Sequence, residues 1–308
     1  MREGIWAGSG IRLAGFGHHY PHRHVTCEPE QAAEFGVRGR HVADDDETVA
    51  TMAANAVRRA LDAAGLPATD LDLLLLANCT TRRYFPEAAP RVALELGADR
   101  ALAFDVCGAC AGFVLGVHLA ASLLTTSQSR CAAVVASEQF SRRTRPGSRS
   151  SLVVGDAAGA VILTRNLSTA PGLLDSLVRT HADEHEVCVI RPSDGWLKAQ
   201  PRVVELALAT QFRAIDDLLD RNDLKLDDVD WIVPHPGTRH VHTTLRDELA
   251  RRGKAVVTNF ESCGNTASAT IPTTLSEQIT SGRFQPGQLV LAPTAGAGWY
   301  SGGLLFRV

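Results

Sequence analysis

Residues 61–80 read LDAAGLPATDLDLLLLANCT, and residues 219–238 read LDRNDLKLDDVDWIVPHPGT. Both stretches run from the end of an amphipathic helix, through a short acidic turn, into a buried strand. The strand cores are Leu73 to Leu76 and Trp231 to Val233, each entered through an Asp-x-Asp turn. Three further pairs follow in the same order, at a separation of roughly 155 residues, as a duplicated unit requires. Residues 101–110 match 255–264 as a strand leading into a Gly/Cys turn and then a helix. Residues 131–137 match 288–294 as an apolar strand, and residues 155–163 (GDAAGAVIL) match 300–306 (YSGGLLF) as a strand entered through small residues.

Strands alternating with helices imply an α/β architecture with βαβ crossovers. The strands are apolar with little alternation, which fits sheets covered on both faces. Two such halves, residues 1–165 and residues 166–308, are expected to pack as one integrated unit, a layered α-β-α-β-α sandwich. Periodicity is weakest over residues 166–200, which this reading takes as the crossover between the halves.

Composition narrows the function classes. A formal net charge of −3 with 21 % charged residues gives no electrostatic ground for a nucleic-acid or anionic-membrane partner. No apolar run reaches the ~20 residues of a membrane span. The amino-terminal residues lack the apolar core of a signal peptide, so a cytoplasmic location is expected. The seven cysteines, at positions 27, 79, 107, 110, 131, 188 and 263, are odd in number and scattered. They read as free thiols and not as a disulfide framework.

The sharpest local signal is DVCGACAGFVLGVHLAASLL, starting at Asp105. An apolar strand meets small residues, and a helix begins near Cys110. The neighbours Gly108, Ala109, Ala111 and Gly112 allow a tight strand-to-helix turn and a close-lying substrate. A thiol at a helix amino terminus feels the positive end of the dipole, which favours thiolate and suits a nucleophile that attacks a thioester. Two other readings stand beside this one. Cys110 is of a residue type often buried for packing alone. With Cys107 it also forms a Cys-x-x-Cys, the spacing of a redox pair, although the duplicated architecture is far larger than a thioredoxin-like domain. No second Cys-x-x-Cys or His pair supplies a zinc set. The run GHHYPHRH at residues 17–24 lacks an acidic or Cys partner at ligand spacing, so no metal is expected. Gly155-Asp156 lacks the Lys-Ser/Thr that makes a phosphate loop specific and reads as structural.

Four segments taken together resemble the β-ketoacyl-acyl carrier protein synthase III group of the thiolase superfamily. They are ACAGF (residues 109–113), VVGDAAGAVIL (153–163), VPHPGTRHV (233–241) and GNTASATIP (264–272), in the family's order over nearly the whole chain. The resemblance implies a thiolase-like fold and an acyl-transferring condensing enzyme. It implies Cys110 as the acyl-accepting nucleophile, and His235 and Asn265 as the pair that stabilises the enolate formed when a malonyl group loses carbon dioxide. The backbone N–H of Cys110 and one from the Gly296-Ala297-Gly298 loop, taken as Ala297, would form the oxyanion hole. Arg239 matches an arginine that contacts the carrier protein. Phe85, in the segment Tyr84-Phe85-Pro86, matches a residue that lines the partner's acyl pocket across a homodimer. No cofactor is implied beyond the substrate's own phosphopantetheine, on acyl carrier protein or coenzyme A.

The chain departs from the family pattern at three places. The segment before EFGVRGRH (residues 34–41) is short and has no counterpart of the Trp that stacks on the coenzyme A adenine, which favours an acyl carrier protein donor. Pro236-Gly237-Thr238 replaces Gln-Ala-Asn after the histidine. The crossover between halves is short. These departures suggest a specialised relative, of the kind that serves secondary metabolism. The stretch SRRTRPGSR (residues 141–149) reads either as a guide for an acidic carrier protein or as a solvated loop. The expected reaction is decarboxylative condensation on Cys110. Its rivals are transfer of the acyl group to a hydroxyl or amine, and a non-catalytic partner subunit of a condensing complex.

Overall fold

The structure is a computed structural model and describes residues 4–81, 86–167 and 172–308. In the first half β1 (Ile11–His19) is followed by β2 (His24–Thr26), α1 (Pro29–Phe35), β3 (Gly39–His41), α2 (Val49–Ala64), β4 (Leu73–Ala77) and α3 (Ala89–Leu96). Then come β5 (Leu102–Val106), α4 (Gly112–Thr126), β6 (Cys131–Gln139) and β7 (Asp156–Arg165). The second half contains β8 (Leu173–Thr180), β9 (Cys188–Ile190), β10 (Leu197–Ala199), α5 (Val203–Arg221), β11 (Trp231–Ile232) and α6 (Arg239–Arg251). It closes with α7 (Phe260–Cys263), α8 (Thr270–Thr280), β12 (Leu289–Gly296) and β13 (Tyr300–Arg307).

The two large sheets repeat one topology. The first has the order β1-β7-β6-β4-β5 and the second β8-β13-β12-β11. In each, the strand after the acidic turn runs parallel to its neighbour, and the outer pair is antiparallel. The place that β5 takes in the first sheet is reduced in the second to a single parallel bridge, Ile232 to Val256. The acidic turns are held alike. Asp72 Oδ2 accepts from Arg130 N at 2.7 Å and Cys131 N at 3.1 Å, and Asp230 Oδ2 accepts from Leu289 N at 2.7 Å. Each second aspartate of an Asp-x-Asp turn thus fastens the start of the neighbouring strand.

The weak periodicity of residues 166–200 hid a strand. β8 is a full member of the second sheet, paired with β13, so the segment is more than a crossover. Its apolar pattern is broken by Asp175 and Ser176, both buried. Asp175 accepts from Arg221 and Asn222, each at 2.9 Å, and Ser176 Oγ accepts from Trp6 Nε1 at 2.7 Å. These partners are far away in sequence, so the polar pair is satisfied by the tertiary fold.

Side chains alternate between two buried faces. Leu73 and Leu75 join the central core, whereas Leu74 and Leu76 join the core under α2. On the second sheet Val290 and Ala292 face the centre, and Leu289 and Leu291 face α5. Both faces are dry, which is why these strands read as continuous apolar runs. The layers are α2 and α3, the first sheet, α4 and α8, the second sheet, then α5 and α6. α4 with the turn before it, Ala109–Thr126, is apolar and long enough by composition to cross a membrane, yet it is the central core helix.

Close approach of α2 to β1 depends on glycine. A Cβ at Gly17 would lie 2.3 Å from Ala56 O, and one at Gly15 would lie 2.3 Å from Ala60 O. Gly17→Ala is expected to destabilise the fold by about 1–3 kcal/mol through overpacking, read as a lower urea midpoint. An unchanged midpoint would show that α2 does not sit this close.

Candidate active site

Strand β5 delivers the chain to a one-turn 3₁₀ segment, Ala109–Ala111, that runs straight into α4. Ala109 enters it with φ 46°. A non-glycine residue in this region carries a backbone strain of about 1–3 kcal/mol, held by its surroundings. The second half contains the same device: Ala267 has φ 50° at the start of the 3₁₀ turn Ala267–Ala269, which runs into α8. Cys110 is therefore equivalent to Ser268. This corrects the alignment of residues 101–110 with 255–264, which ends four positions early because it matched small residues and not the backbone turn.

Asn265 lies just ahead of that second turn. Its main chain is clamped against the residues before β7: Asn265 N donates to Val153 O at 2.8 Å, and Gly155 N donates to Asn265 O at 3.0 Å. Its side chain is oriented from both ends. Oδ1 accepts from Ala267 N at 2.9 Å, and Nδ2 donates to Gly237 O at 2.9 Å. A carboxamide so fixed has one N–H left to offer. His235 follows β11, and its N–H donates to Pro293 O at 3.0 Å on β12.

Cys110, His235, Asn265 and Ala297 line one cavity of about 320 Å³. The rest of its wall is mainly apolar, with Val189, Ile190 and Leu197 from the β9–β10 hairpin and Val204 and Ala207 from α5. The end of β12 lies against the nucleophile turn. A Cβ at Gly296 would sit 2.9 Å from Cys110 N and 2.7 Å from Ala111 N, so only glycine fits there. Thr294 Oγ1 also donates to Cys110 O at 3.3 Å.

Burial sets the electrostatics. It drives the Cys110 thiol well above its ordinary value, with Cys188 and Glu138 adding to the shift. In the resting cavity desolvation thus opposes the thiolate that the helix terminus favours. Burial acts on His235 in the opposite sense, lowering it to about 4, so the imidazole is neutral at physiological pH. Its Nδ1 has no protein hydrogen-bond partner. The site thus pairs a protonated thiol with a neutral imidazole able to accept a proton.

All seven cysteines are free, with Cys107 exposed and Cys110 half-buried. Among the described residues no cluster of three or more His, Cys, Asp or Glu could hold a metal. Within the histidine run, His18 Nδ1 hydrogen-bonds with Ser276 Oγ at 2.8 Å and His19 Nε2 lies 3.7 Å from Glu47 Oε1. Asp156 is buried and accepts from Ala43 N, Ser141 N and Ser141 Oγ, a structural role. Arg239 is exposed at the start of α6, and its Nη1 donates to the carbonyls of Ala33 and Glu34, bracing the end of α1. The arginine-rich stretch is largely tied down, Arg143 to the carbonyls of Thr80 and Thr81 and Arg149 to Glu34. Tyr84 and Phe85 lie outside the described residues.

Sequence reading missed Gln211, Trp299 and Cys188 on the cavity wall and Glu138 beneath it. Gln211 left a signal, since it occupies the buried stripe of α5 with Ala214, Ile215, Leu218 and Leu219. A polar residue on an apolar helix face points to a special environment.

The model for 3-oxoacyl-[acyl-carrier-protein] synthase III matches residues 104–182, and the model for its C-terminal part matches residues 219–308. The β-ketoacyl-[acyl-carrier-protein] synthase III of Sphingopyxis alaskensis is 35 % identical over 285 residues, covering 89 % of this chain and 88 % of that protein. That of Methylococcus capsulatus is 33 % identical, covering 96 % and 98 %. The chain belongs to the ketosynthase III family.

Solved ketosynthase III structures share the fold throughout. The Aquifex aeolicus enzyme has 27 % identity and a TM-score of 0.90, covering 97 % of this chain and 100 % of that one. The priming β-ketosynthase of the R1128 polyketide biosynthetic pathway has 28 % identity and a TM-score of 0.89, covering 97 % and 96 %. This chain is thus an enzyme of the ketosynthase III family with the thiolase-like layered fold.

The buried imidazole makes a pH prediction. Above pH 6.5 His235 is neutral in both folded and unfolded chains; as pH falls toward about 4 only the unfolded chain takes up the proton. Stability is therefore lost across that window, by about 3 kcal/mol from this residue. Urea unfolding at a series of pH values should show a shallower acid loss for His235→Asn than for the wild type. Identical pH profiles would mean that the folded imidazole is protonated as readily as the unfolded one.

Proposed function

We propose that Cys110 carries the acyl group and that His235 and Asn265 serve the condensation that follows. The observation that carries this reading is the convergence of a thiol, a neutral imidazole and an oriented carboxamide on one mainly apolar cavity. In the loading step His235 accepts the Cys110 proton as sulfur attacks the acyl thioester. The carrier thiol leaves with a proton, and the acyl group stays as a thioester on Cys110. Backbone N–H groups of Cys110 and Ala297 receive the developing oxyanion.

A malonyl-type thioester on a carrier protein then binds. It loses carbon dioxide, and the resulting enolate oxygen is held by N–H donors of His235 and the remaining N–H of Asn265. Donors fixed before the charge develops stabilise the transition state more than the ground state. The enolate carbon attacks the acyl carbonyl, the carbon–sulfur bond to Cys110 breaks, and the released sulfur takes up a proton from solvent to become the thiol again. The product is a β-ketoacyl thioester. The acyl groups arrive on phosphopantetheine, with acyl carrier protein as donor, Arg239 as a contact for it, and no further cofactor.

We further infer a homodimer. β5 is the edge of the first sheet, and Leu102 on it is 60 % exposed. An apolar edge strand needs a cover, and a second copy supplies one by two-fold pairing. Sedimentation should give a dimer, and Leu102→Lys should shift it toward monomer; a monomeric wild type would remove this assignment.

The chemistry is read by intact-protein mass after mixing with acyl thioesters, and by carbon dioxide release. The wild type should gain the acyl mass and Cys110→Ala should not. Asn265→Ala should still load but lose about 10²–10³-fold in condensation. Equal labelling of Cys110→Ala would overturn the nucleophile, and turnover without carbon dioxide would place the acyl group on a hydroxyl or amine instead.

A further inference from the structure

Among the described residues, four buried side-chain polar atoms without a protein hydrogen-bond partner belong to residues lining the active-site cavity. One is His235 Nδ1; the other three are Gln211 Nε2, Gln211 Oε1 and Trp299 Nε1. Gln211 has no exposed surface, and Trp299 is 2 % exposed. They come from separate elements, Gln211 from α5 and Trp299 from the turn between β12 and β13.

Leaving a buried amide or indole N–H unpaired costs about 1–3 kcal/mol per group. Such a cost, gathered on one cavity, marks the side of that cavity which a ligand completes. The remaining wall contacts are methyl and methylene groups, from Val189, Leu197, Val204 and Ala207 among others. A plain hydrocarbon chain would satisfy those contacts and leave Gln211 and Trp299 unanswered. A hydroxyl answers both kinds of group, since it accepts from an N–H and donates to the Gln211 Oε1.

We propose that the acyl group taken by this cavity bears a hydroxyl oxygen along its chain, bound by the Gln211 carboxamide and the Trp299 indole N–H. The inference deepens the acyl-enzyme reading and rests on it. Gln211 and Trp299 act here as specificity residues that take no part in making or breaking bonds. A site that hydrogen-bonds a substrate oxygen rejects the analogue without it far more strongly than an apolar pocket rejects an extra methylene.

The test is a competition for Cys110. Pairs of short- and medium-chain acyl thioesters on one carrier protein, identical except for a hydroxyl placed at successive carbons, are mixed with the enzyme. Acyl-enzyme masses are then followed with time. For at least one hydroxyl position the wild type should load the hydroxylated member faster by about tenfold or more. Gln211→Leu should reverse that ratio in favour of the hydrocarbon, and Trp299→Phe, which removes only the N–H side of the ring, should shrink it. Gln211→Leu should also melt no lower than the wild type, because it replaces unpaired polar atoms with apolar ones of similar volume.

A wild type that loads the hydrocarbon as fast or faster at every position would overturn the proposal while leaving the acyl-enzyme intact. So would a ratio that Gln211→Leu leaves unchanged. Failure of every thioester to load on Cys110 would instead bring down the acyl-enzyme reading, and this inference with it.

Discussion

The site depends on a carboxylate that never meets solvent. Glu138, at the end of β6, has no exposed surface and sits where the turns of the two halves meet. From its own half it accepts from Cys79 N at 3.1 Å, Thr80 Oγ1 at 2.8 Å and Asn78 Nδ2 at 3.3 Å; from the other half it accepts from Ser268 Oγ. Burial raises its affinity for a proton, and these donors oppose that shift. A buried acceptor with this many donors is costly to disturb, because its donors would lose a charge-assisted partner in a dry interior. The network therefore fixes the Ser268 turn relative to β6, and with it the neighbouring Asn265. The reacting groups lie on separate loops, yet their relative placement is set by a bond pattern that takes no part in the reaction.

The strained backbone at Ala109 invites a purely catalytic explanation, since strain often marks reactive residues. The equivalent strain at Ala267 argues otherwise. Ser268, in the place of Cys110, spends its hydroxyl on Glu138. The strained turn is a property of the duplicated unit, needed to bring a strand end into a central helix at close quarters. One copy puts a thiol on it, and the other uses it to hold the halves together.

Much of this was legible in the chain. The Asp-x-Asp turns announced β4 and β11 because Asp72 and Asp230 perform the same local task, and local tasks leave local patterns. Cys110, His235 and Asn265 were named through motifs that resemble those of a known family, and the fold brings all three to one cavity. β8 escaped notice because Asp175 and Ser176 interrupt its apolar run, and their partners Arg221, Asn222 and Trp6 are distant in sequence. The opposing pull of burial on Cys110 was not visible for a related reason: the helix start can be read in sequence, but the depth of burial cannot. Gln211 could be seen on its helix face, although nothing local revealed that its amide would stay unpaired.

The β9–β10 hairpin stands apart from both large sheets as a two-stranded unit of three residues per strand. It nonetheless supplies Cys188, Val189, Ile190 and Leu197 to the cavity wall. Shape on that side of the cavity is thus written in a few residues that no core strand relies on for pairing. Drift in this hairpin can remodel the chamber while the reacting residues stay under the constraint of Glu138 and the two strained turns. Within such a lineage, selectivity and chemistry are free to evolve at different speeds.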